Sequence, residues 1–473
     1  MLSAILPAVL SFVRVPLYSR WFTPQVYGEF TLVSTAAVLG SSLVLAVFQN
    51  ALLRYYDAHR RVGSLRPFLA SLAAGVVAAF GMVGITALVG STLWPGAIQG
   101  LIPWAFALFV IGSLQGLLGQ INRLEHQPGA FVAGRLIDPL WQLGCPMALL
   151  SLGLSSTPAI FTTAVLAGLS SVGVGAIWAR RQVAWAKPWE ASSPLLSRAL
   201  RYGLPLIPLA LVNWVMSSSD RYMIQWFLGP ESTGIYAMGY ALAWMPVSMM
   251  ASSLLMVMVP SVWERVNARG AAEGMGLVRR FALVYLGLAI PGALGLAILA
   301  PRIVDVLLAP QYAPAVQVVG PVAFAAVFGG LYSFLVKPWE LHEATVQLPA
   351  YVGIGAGLSV LLNLWMVRAL GVAGPAWSAV VAHGAVALLL LFQAERRYRV
   401  FVGPSLQDIW TIGLPSALMV TVIWAMDRWL KQQGILALAT IIAAGASVYL
   451  AAWLPFQGAL RRWLGSSRAR GQL

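Results

Sequence analysis

Runs of about 20 apolar residues recur from one end of this chain to the other, and the basic residues between them crowd into every second gap. A hydrocarbon core about 30 Å thick needs about 20 apolar residues for one helical crossing. The pattern predicts an all-α polytopic membrane protein of about fourteen transmembrane helices. The spans fall near residues 2–22, 30–52, 67–93, 102–121, 132–151, 158–178, 204–228, 235–262, 281–300, 317–336, 350–367, 375–393, 409–427 and 434–456.

The loop charges give these spans a direction. One set of alternate gaps holds Arg54, Arg60, Arg61 and Arg66, then Arg123 and Arg135, then Arg180, Arg181, Lys187, Arg198 and Arg201. It continues with Arg265, Arg269, Arg279 and Arg280, then Lys337, then Arg396, Arg397 and Arg399, and ends with Arg461, Arg462, Arg468 and Arg470. The other set holds Arg20, Arg302, Arg368, Arg428 and Lys431, leaving Arg14 and Arg221 inside spans. Cytoplasmic loops carry the excess of Lys and Arg, so the first set reads as cytoplasmic. Both termini are then cytoplasmic, which requires an even number of spans.

Composition agrees. The chain is 59% hydrophobic and 10% charged, where soluble chains carry about 25% charged residues. No gap reaches the roughly 50 residues of a folded extramembrane domain. A net charge of +15 would point to nucleic acid in a soluble protein, but arginines in short loops orient helices, so no nucleic-acid partner is expected. The one cysteine, Cys145, lies in an apolar stretch and reads as a packing residue. His383 is the one histidine inside a span and reads as packed or bonded to its own helix. Met1–Phe22 runs straight into a helix with Arg14 inside it, so no cleavable signal peptide is expected. Helix 1 starts at Met1 with no cytoplasmic tail, which points to a natural N-terminal segment missing or a start assigned late.

The longest basic loop, Ala179–Arg201, divides the chain. Residues 1–185 form an expected N-terminal six-helix lobe, 186–400 a second six-helix lobe, and 401–473 two additional helices with a basic tail. A short repeat supports the division. Trp21-Phe22 is followed by Pro24, Gly28 and Phe30, and Trp226-Phe227 by Pro230, Gly234 and Tyr236. Proline and glycine are expected to make the tight turn and the aromatics to sit at the interface; a generic turn arising twice by chance is the alternative. Parallel repeats about an axis along the membrane normal are a transporter architecture. Prolines inside the spans (Pro16, Pro139, Pro146, Pro205, Pro208, Pro246, Pro260, Pro291 and Pro321) need their freed carbonyls satisfied by neighbours or water. Kinked helices around a wet cavity and plain tolerance in membrane helices both account for them.

Ionised groups inside spans are costly and normally face a cavity or each other. Arg14 is the foremost candidate, mid-helix in Ser11-Phe12-Val13-Arg14-Val15-Pro16. It is expected either to line a hydrated cavity, where it would bind anionic phosphate, or to pair with Asp138 or Asp220. Asp220 and Arg221 are neighbours in sequence. Adjacent helix positions do not face each other, so they are not expected to be simple partners: one would face a cavity, and Arg221 could snorkel to the headgroups. Arg135 and Asp138 are spaced to pair. Arg54 is either an orienting residue or an entry-site cation for a headgroup, and Arg20 lies near a helix end. The chain has no G-x-x-x-x-G-K-[ST] phosphate loop, no acidic or His/Glu cluster in a loop and no large outer loop. An internal ATPase, a metal-assisted glycosyl transferase and a ligase or polymerase are therefore disfavoured, and no cofactor or metal is expected.

At the first two helices and the seventh and eighth, the chain resembles the bacterial polysaccharide flippases of the multidrug/oligosaccharidyl-lipid/polysaccharide exporter superfamily. The stretches that carry this are Pro16 to Gly28 (P-L-Y-S-R-W-F-T-P-Q-V-Y-G), Leu204 to Pro208, Ser218-Ser219-Asp220-Arg221-Tyr222 and Gly229–Tyr236. Asn363 to Gly371 with Gly374 to Trp377, and Pro301–Ala315, resemble further turns of the family. The resemblance implies movement of undecaprenyl-diphosphate-linked oligosaccharide between leaflets. Related lipid II flippases carry F-V-R-D then A-R in helix 1. Here Phe12-Val13-Arg14 and Ser19-Arg20 stand at those places, so Arg14 and Arg20 are the positions carried over, while the acidic position is Val15. That departure leaves the local charge partner, and any ion coupling, unassigned.

The sequence thus points to a lipid-linked oligosaccharide flippase. Arg14, Arg20, Arg221 and Arg54 are its expected substrate-binding residues, and Asp220 and Asp138 its coupling or charge partners. The partners implied are the polyprenyl-diphosphate-linked glycan, membrane lipids, and glycan polymerase and chain-length proteins. A cation or drug antiporter of the same superfamily, and a membrane glycosyl ligase or polymerase, are the alternatives.

Overall fold

Each predicted span forms a helix, as it must where no water is present to satisfy a free peptide group. The structure is a computed structural model. It describes residues 2–93, 99–399, 402–430 and 434–453, with backbone alone at 2–5, 8, 93, 128, 131 and 135. The expected basic tail and Lys431 lie outside the described residues.

The long helices are α1 (Leu2–Trp21), α2 (Pro24–Val44, continuing to Val62), α3 (Leu65–Leu93), α4 (Ile102–Leu124), α5 (Pro128–Ser151) and α6 (Ser156–Trp178). A helical stretch Ile207–Arg269 is broken at Gly229 (φ 86°, ψ 179°) into α7 (207–228) and α8 (230–269). Then come α9 (Ala271–Ile298), α10 (Val316–Leu335), α11 (Leu348–Leu370), α12 (Ala373–Tyr398), α13 (Leu406–Trp429) and α14 (Ile435–Trp453). Among the described residues, 11 helical segments are long and apolar enough to cross a membrane. One of these contains both α7 and α8, and α1 and α5 are further helices of 20 and 24 residues. The helix count therefore agrees with the expected fourteen.

The chain divides into two compact units, Met1–Ala237 and Met238–Leu473. In the first unit α4 packs on α2 and α6, and α5 on α1 and α6. Thr23 caps α2, its hydroxyl accepting from the Val26 amide, with Pro24 in the first turn. That residue pair is a strong helix start, because proline there loses no hydrogen bond. Within α2, Leu45–Gln49 forms a π turn before the helix resumes over Asn50–Val62 and stops at Gly63 (φ 75°). Gly203 abuts the π turn: a β-carbon there would lie 2.5 Å from Val47 Cα.

The basic loop is more structured than a plain connection. It holds short helical turns at Arg180–Trp185 and Pro188–Glu190 and an amphipathic helix, Ser193–Gly203. Leu195, Leu196 and Leu200 of that helix pack against a core of Phe48, Tyr56, Phe68 and Phe109. The segment is stapled to α3 at two points. Arg66 makes two hydrogen bonds to the Glu190 carboxylate (2.8 and 2.7 Å), and the Ser192 amide donates to Ser71 Oγ at 2.8 Å. Arg66 holds the Glu190 carboxyl below its usual value of 4.5.

The repeated Pro-x-x-x-Gly elements meet. A β-carbon on Gly28 would lie 1.9 Å from the Pro230 carbonyl oxygen, and one on Gly234 would lie 1.9 Å from the Pro24 carbonyl oxygen. The contact is reciprocal, each glycine lying under the other element's proline carbonyl. This corrects the expected role of the glycines. The turn before α8 is made by Gly229 in the left-handed region, whereas Gly28 and Gly234 lie inside helices, where the missing side chain lets two backbones touch.

In the second unit α10 is central, packing on α9 and α12, while α11 packs on α12 and α13 on α14 and α9. The Tyr285 hydroxyl donates to the Ala326 and Val327 carbonyls at 3.1 Å, and Gly330 makes room for its ring. Ser405 and Asp408 form a capping box at the start of α13, with Arg279 on the same carboxylate at 2.8 Å. At the other end of α13, Arg302 donates to the Leu430 carbonyl at 2.7 Å and pairs with Asp427 at 3.1 Å.

Gly28→Ala and Gly234→Ala are each expected to cost at least the roughly 1–3 kcal/mol of overpacking, because the obstructing atom is backbone. Gly81→Ala, with nothing within 4 Å of its β-carbon, is expected to be neutral or to stabilise by up to about 1 kcal/mol. Thermal unfolding of the three purified variants checks the ordering.

Candidate functional site

The charged residues inside the first unit fall into two places. The first is at the middle of α7. Asp220 and Arg221 are both buried, and Arg221 Nη1 lies 3.1 Å from Asp220 Oδ1. The same guanidinium nitrogen donates to the Ser217 carbonyl at 2.9 Å, and Tyr236 Oη donates to Asp220 Oδ2 at 2.5 Å. The expectation that these neighbours are not partners is corrected. The Asp220 side chain folds back along its own helix to bond the Arg221 amide at 2.8 Å, which brings its oxygen within reach of the next residue's long side chain. Arg221 is buried in protein and does not snorkel outward. Beside it, Tyr222 Oη donates to the Leu32 carbonyl at 3.0 Å, and Trp214 Nε1 donates to the Thr35 carbonyl at 2.9 Å. These bonds tie α7 to α2.

The second place lies around α1 and α5. Arg14 is half-buried, with its guanidinium 5.5 Å from the centre of the Tyr18 ring. Among the described residues Arg14 has no ion-pair partner. The alternative reading, a direct pair with Asp138 or Asp220, is therefore not met. Asp138 accepts from Gln142 Nε2 at 2.8 Å. The side chain of Arg135, its other expected partner, lies outside the described residues.

Asp138 opens onto a polar cleft of about 400 Å³ walled by α1, α2, α4, α5 and α6. Ser11, Gln49, Gln115, Asn122 and Arg123 face it with Asp138. Gln49 belongs to the π turn of α2 and donates to Gln120 Oε1 at 3.3 Å; Arg123 donates to the same oxygen. The cleft thus carries one arginine and one aspartate among its walls. The amides do not stand out in the sequence, because a lone Gln or Asn in an apolar run carries no charge signal. Arg14 is not among the residues that line this cleft, so the hydrated wall expected for it is not found there; Arg20, in the last turn of α1, and Arg54 are exposed and do not line it either. Elsewhere, Cys145 is buried and free. His383 bonds to the Ala379 carbonyl of its own helix at 2.9 Å, as expected. Among the described residues no His, Cys, Asp or Glu cluster suits a metal ion.

Comparison with known proteins places this geometry. Residues 142–317 match a family model described as polysaccharide biosynthesis protein. No curated protein sequence matches the chain at a significant level. Among solved structures, the chain is similar to the lipid II flippase MurJ in an inward closed conformation, at 15% identity and TM-score 0.77, covering 97% of this chain and 98% of that one. It is also similar to an inward-facing multidrug-resistance MATE transporter of the MOP superfamily, at 12% identity and TM-score 0.61, over 83% of this chain and 94% of that one. A third is a MOP-superfamily transporter from Pyrococcus furiosus, described as having a binding pocket of reversed polarity, at 12% identity and TM-score 0.55, over 84% and 95%. The chain shares the fold of these transporters, in a multipass membrane protein. The solved structures it is similar to are a flippase and transporters.

Removing one member of a buried ion pair strands the other. Asp220→Ala is expected to destabilise the protein by about 3–5 kcal/mol. Tyr236→Phe, which removes one bond to that carboxylate, is expected to cost about 1–3 kcal/mol. Thermal unfolding in detergent should rank the two in that order.

Proposed function

We propose that this protein is a flippase moving polyprenyl-diphosphate-linked oligosaccharide across the bacterial inner membrane for polysaccharide biosynthesis. The observation that carries the reading is Arg14: a guanidinium inside the 20-residue helix α1, half-buried and, among the described residues, with no carboxylate paired to it, in a chain with the fold of a lipid II flippase. A diphosphate entering hydrocarbon loses its water and meets a prohibitive desolvation cost. An unpaired arginine returns part of that energy through charge-assisted, bidentate hydrogen bonds. The prenyl tail stays in lipid while the headgroup crosses.

In this reading residues 1–185 and 186–400 are the two lobes that alternate access, 401–473 is an appendage, and both termini are cytoplasmic. Arg14 is the principal diphosphate ligand. Arg20, in the last turn of α1, and Arg54, in the polar second half of α2, are exposed and receive and release the headgroup. The Asp220–Arg221 pair holds its arginine in reserve, to be released when Asp220 takes a proton or changes partner. Asp138, in the polar cleft, couples the cycle to a cation. Glycan polymerase and chain-length proteins are the downstream partners. That same cleft favours one second reading, cation-coupled drug antiport, which a whole-cell efflux assay separates from glycan export.

Arg14→Ala is expected to slow export by about 10- to 150-fold, the worth of one charge-assisted hydrogen bond, with normal protein levels in the membrane. Unchanged glycan display at native expression would remove Arg14 from the mechanism. Asp138→Asn is expected to abolish the response of transport to pH or sodium gradients in proteoliposomes while leaving Arg14-dependent cargo binding intact.

A further inference from the structure

A second cavity of the first unit is larger than the cleft beside Asp138. It is a basin of about 690 Å³ formed where three turns meet, those following α2, α4 and α6. Alternation of the helices puts these three turns on one face. The walls carry four arginines, Arg60, Arg66, Arg180 and Arg181, against one carboxylate, Glu125, together with Trp178 and Trp185.

The charges are not equivalent. Arg60 lies 3.4 Å from Glu125, which also accepts from the Tyr56 hydroxyl, so that pair is internally neutral. Arg66 is held by Glu190. Arg180 and Arg181 are exposed, and among the described residues neither has an ion-pair or hydrogen-bond partner. The site therefore keeps two uncompensated guanidinium groups at the rim of a concavity whose remaining charges are matched. The tryptophans add a second signal. Trp178 is 46% exposed and Trp185 37% exposed. Trp178 is seated over the start of α5, where Gly129 leaves room: a β-carbon there would lie 3.0 Å from the ring. Indole rings at the end of a spanning helix, next to basic side chains, sit at headgroup level.

We infer that this basin is a binding site for a phosphate-bearing anion, with Arg180 and Arg181 as its ligands and the two indoles as its apolar wall. A basic pocket between helix ends on the arginine-rich face suits the headgroup of an anionic phospholipid. A soluble phosphate offers the same chemistry without acyl chains. The arginine fork suits either, because each guanidinium reaches two phosphate oxygens.

Binding to the purified full chain distinguishes these sources. Native mass spectrometry from detergent would count adducts of cardiolipin and of phosphatidylcholine, each with and without inorganic pyrophosphate as competitor. Each surface arginine is worth about five-fold in binding an anionic headgroup, so R180Q/R181Q is expected to weaken cardiolipin binding by about 30-fold. R269Q/R280Q, which removes the same charge from exposed sites outside the basin, is expected to leave it unchanged. Cardiolipin retained against pyrophosphate assigns the site to a lipid headgroup, and displacement at equal concentration assigns it to a soluble phosphate. Equal losses in the two double variants, or phosphatidylcholine binding as tightly as cardiolipin, overturn the inference. The readout is binding alone, so its outcome is independent of whether the protein exports glycan.

Discussion

Taking an ion out of water is the constraint that shapes this molecule. In hydrocarbon each charge must be matched or hydrated, and the first unit shows two solutions a few turns apart. Asp220 and Arg221 satisfy each other within one helix, assisted by a tyrosine hydroxyl and a backbone carbonyl, and are buried. Arg14 is half-buried against an aromatic ring. The first arrangement makes a stable wall. The second leaves a cation with hydrogen-bonding capacity to spare, which is what a membrane-crossing anion requires.

Much of the architecture was legible because hydrocarbon thickness fixes span length. The predicted spans and the helices agree to within a few residues over most of the chain. The largest departures are at α2, which starts six residues early and runs ten past its expected end, and at α9, which begins ten residues early. In α2 the helix persists as Asn50–Val62, a polar and basic stretch that hydropathy assigns to a loop. Polarity marks where a helix leaves lipid, not where it stops. The amphipathic helix Ser193–Gly203 escaped notice for the same reason: its apolar face is one stripe of leucines within a basic segment.

The candidate site was less legible. Arg14, Asp138, Asp220 and Arg221 stood out because charge is rare in apolar runs. Their partnerships did not follow from spacing, since a short aspartate can bend back to its own backbone and so meet the next residue. Gln49, Gln115 and Asn122 carry no charge, and only the packing of α2 with α4 and α5 brings them to one cleft. Gly28 and Gly234 were visible as a repeated motif, but their purpose was not. A turn explains a glycine locally, whereas here each glycine matters because of a carbonyl about two hundred positions away.

The continuous helical stretch Pro24–Val62 has a structural consequence. At 39 residues and about 1.5 Å per residue it is a rod roughly 58 Å long. One end is clamped by the Gly28–Pro230 crossing, the other forms a wall of the arginine basin, and the π turn lies between them. Gly203 touches the irregular turn at Val47, so one uninterrupted piece of secondary structure carries both the close backbone crossing at one end and the basin wall at the other.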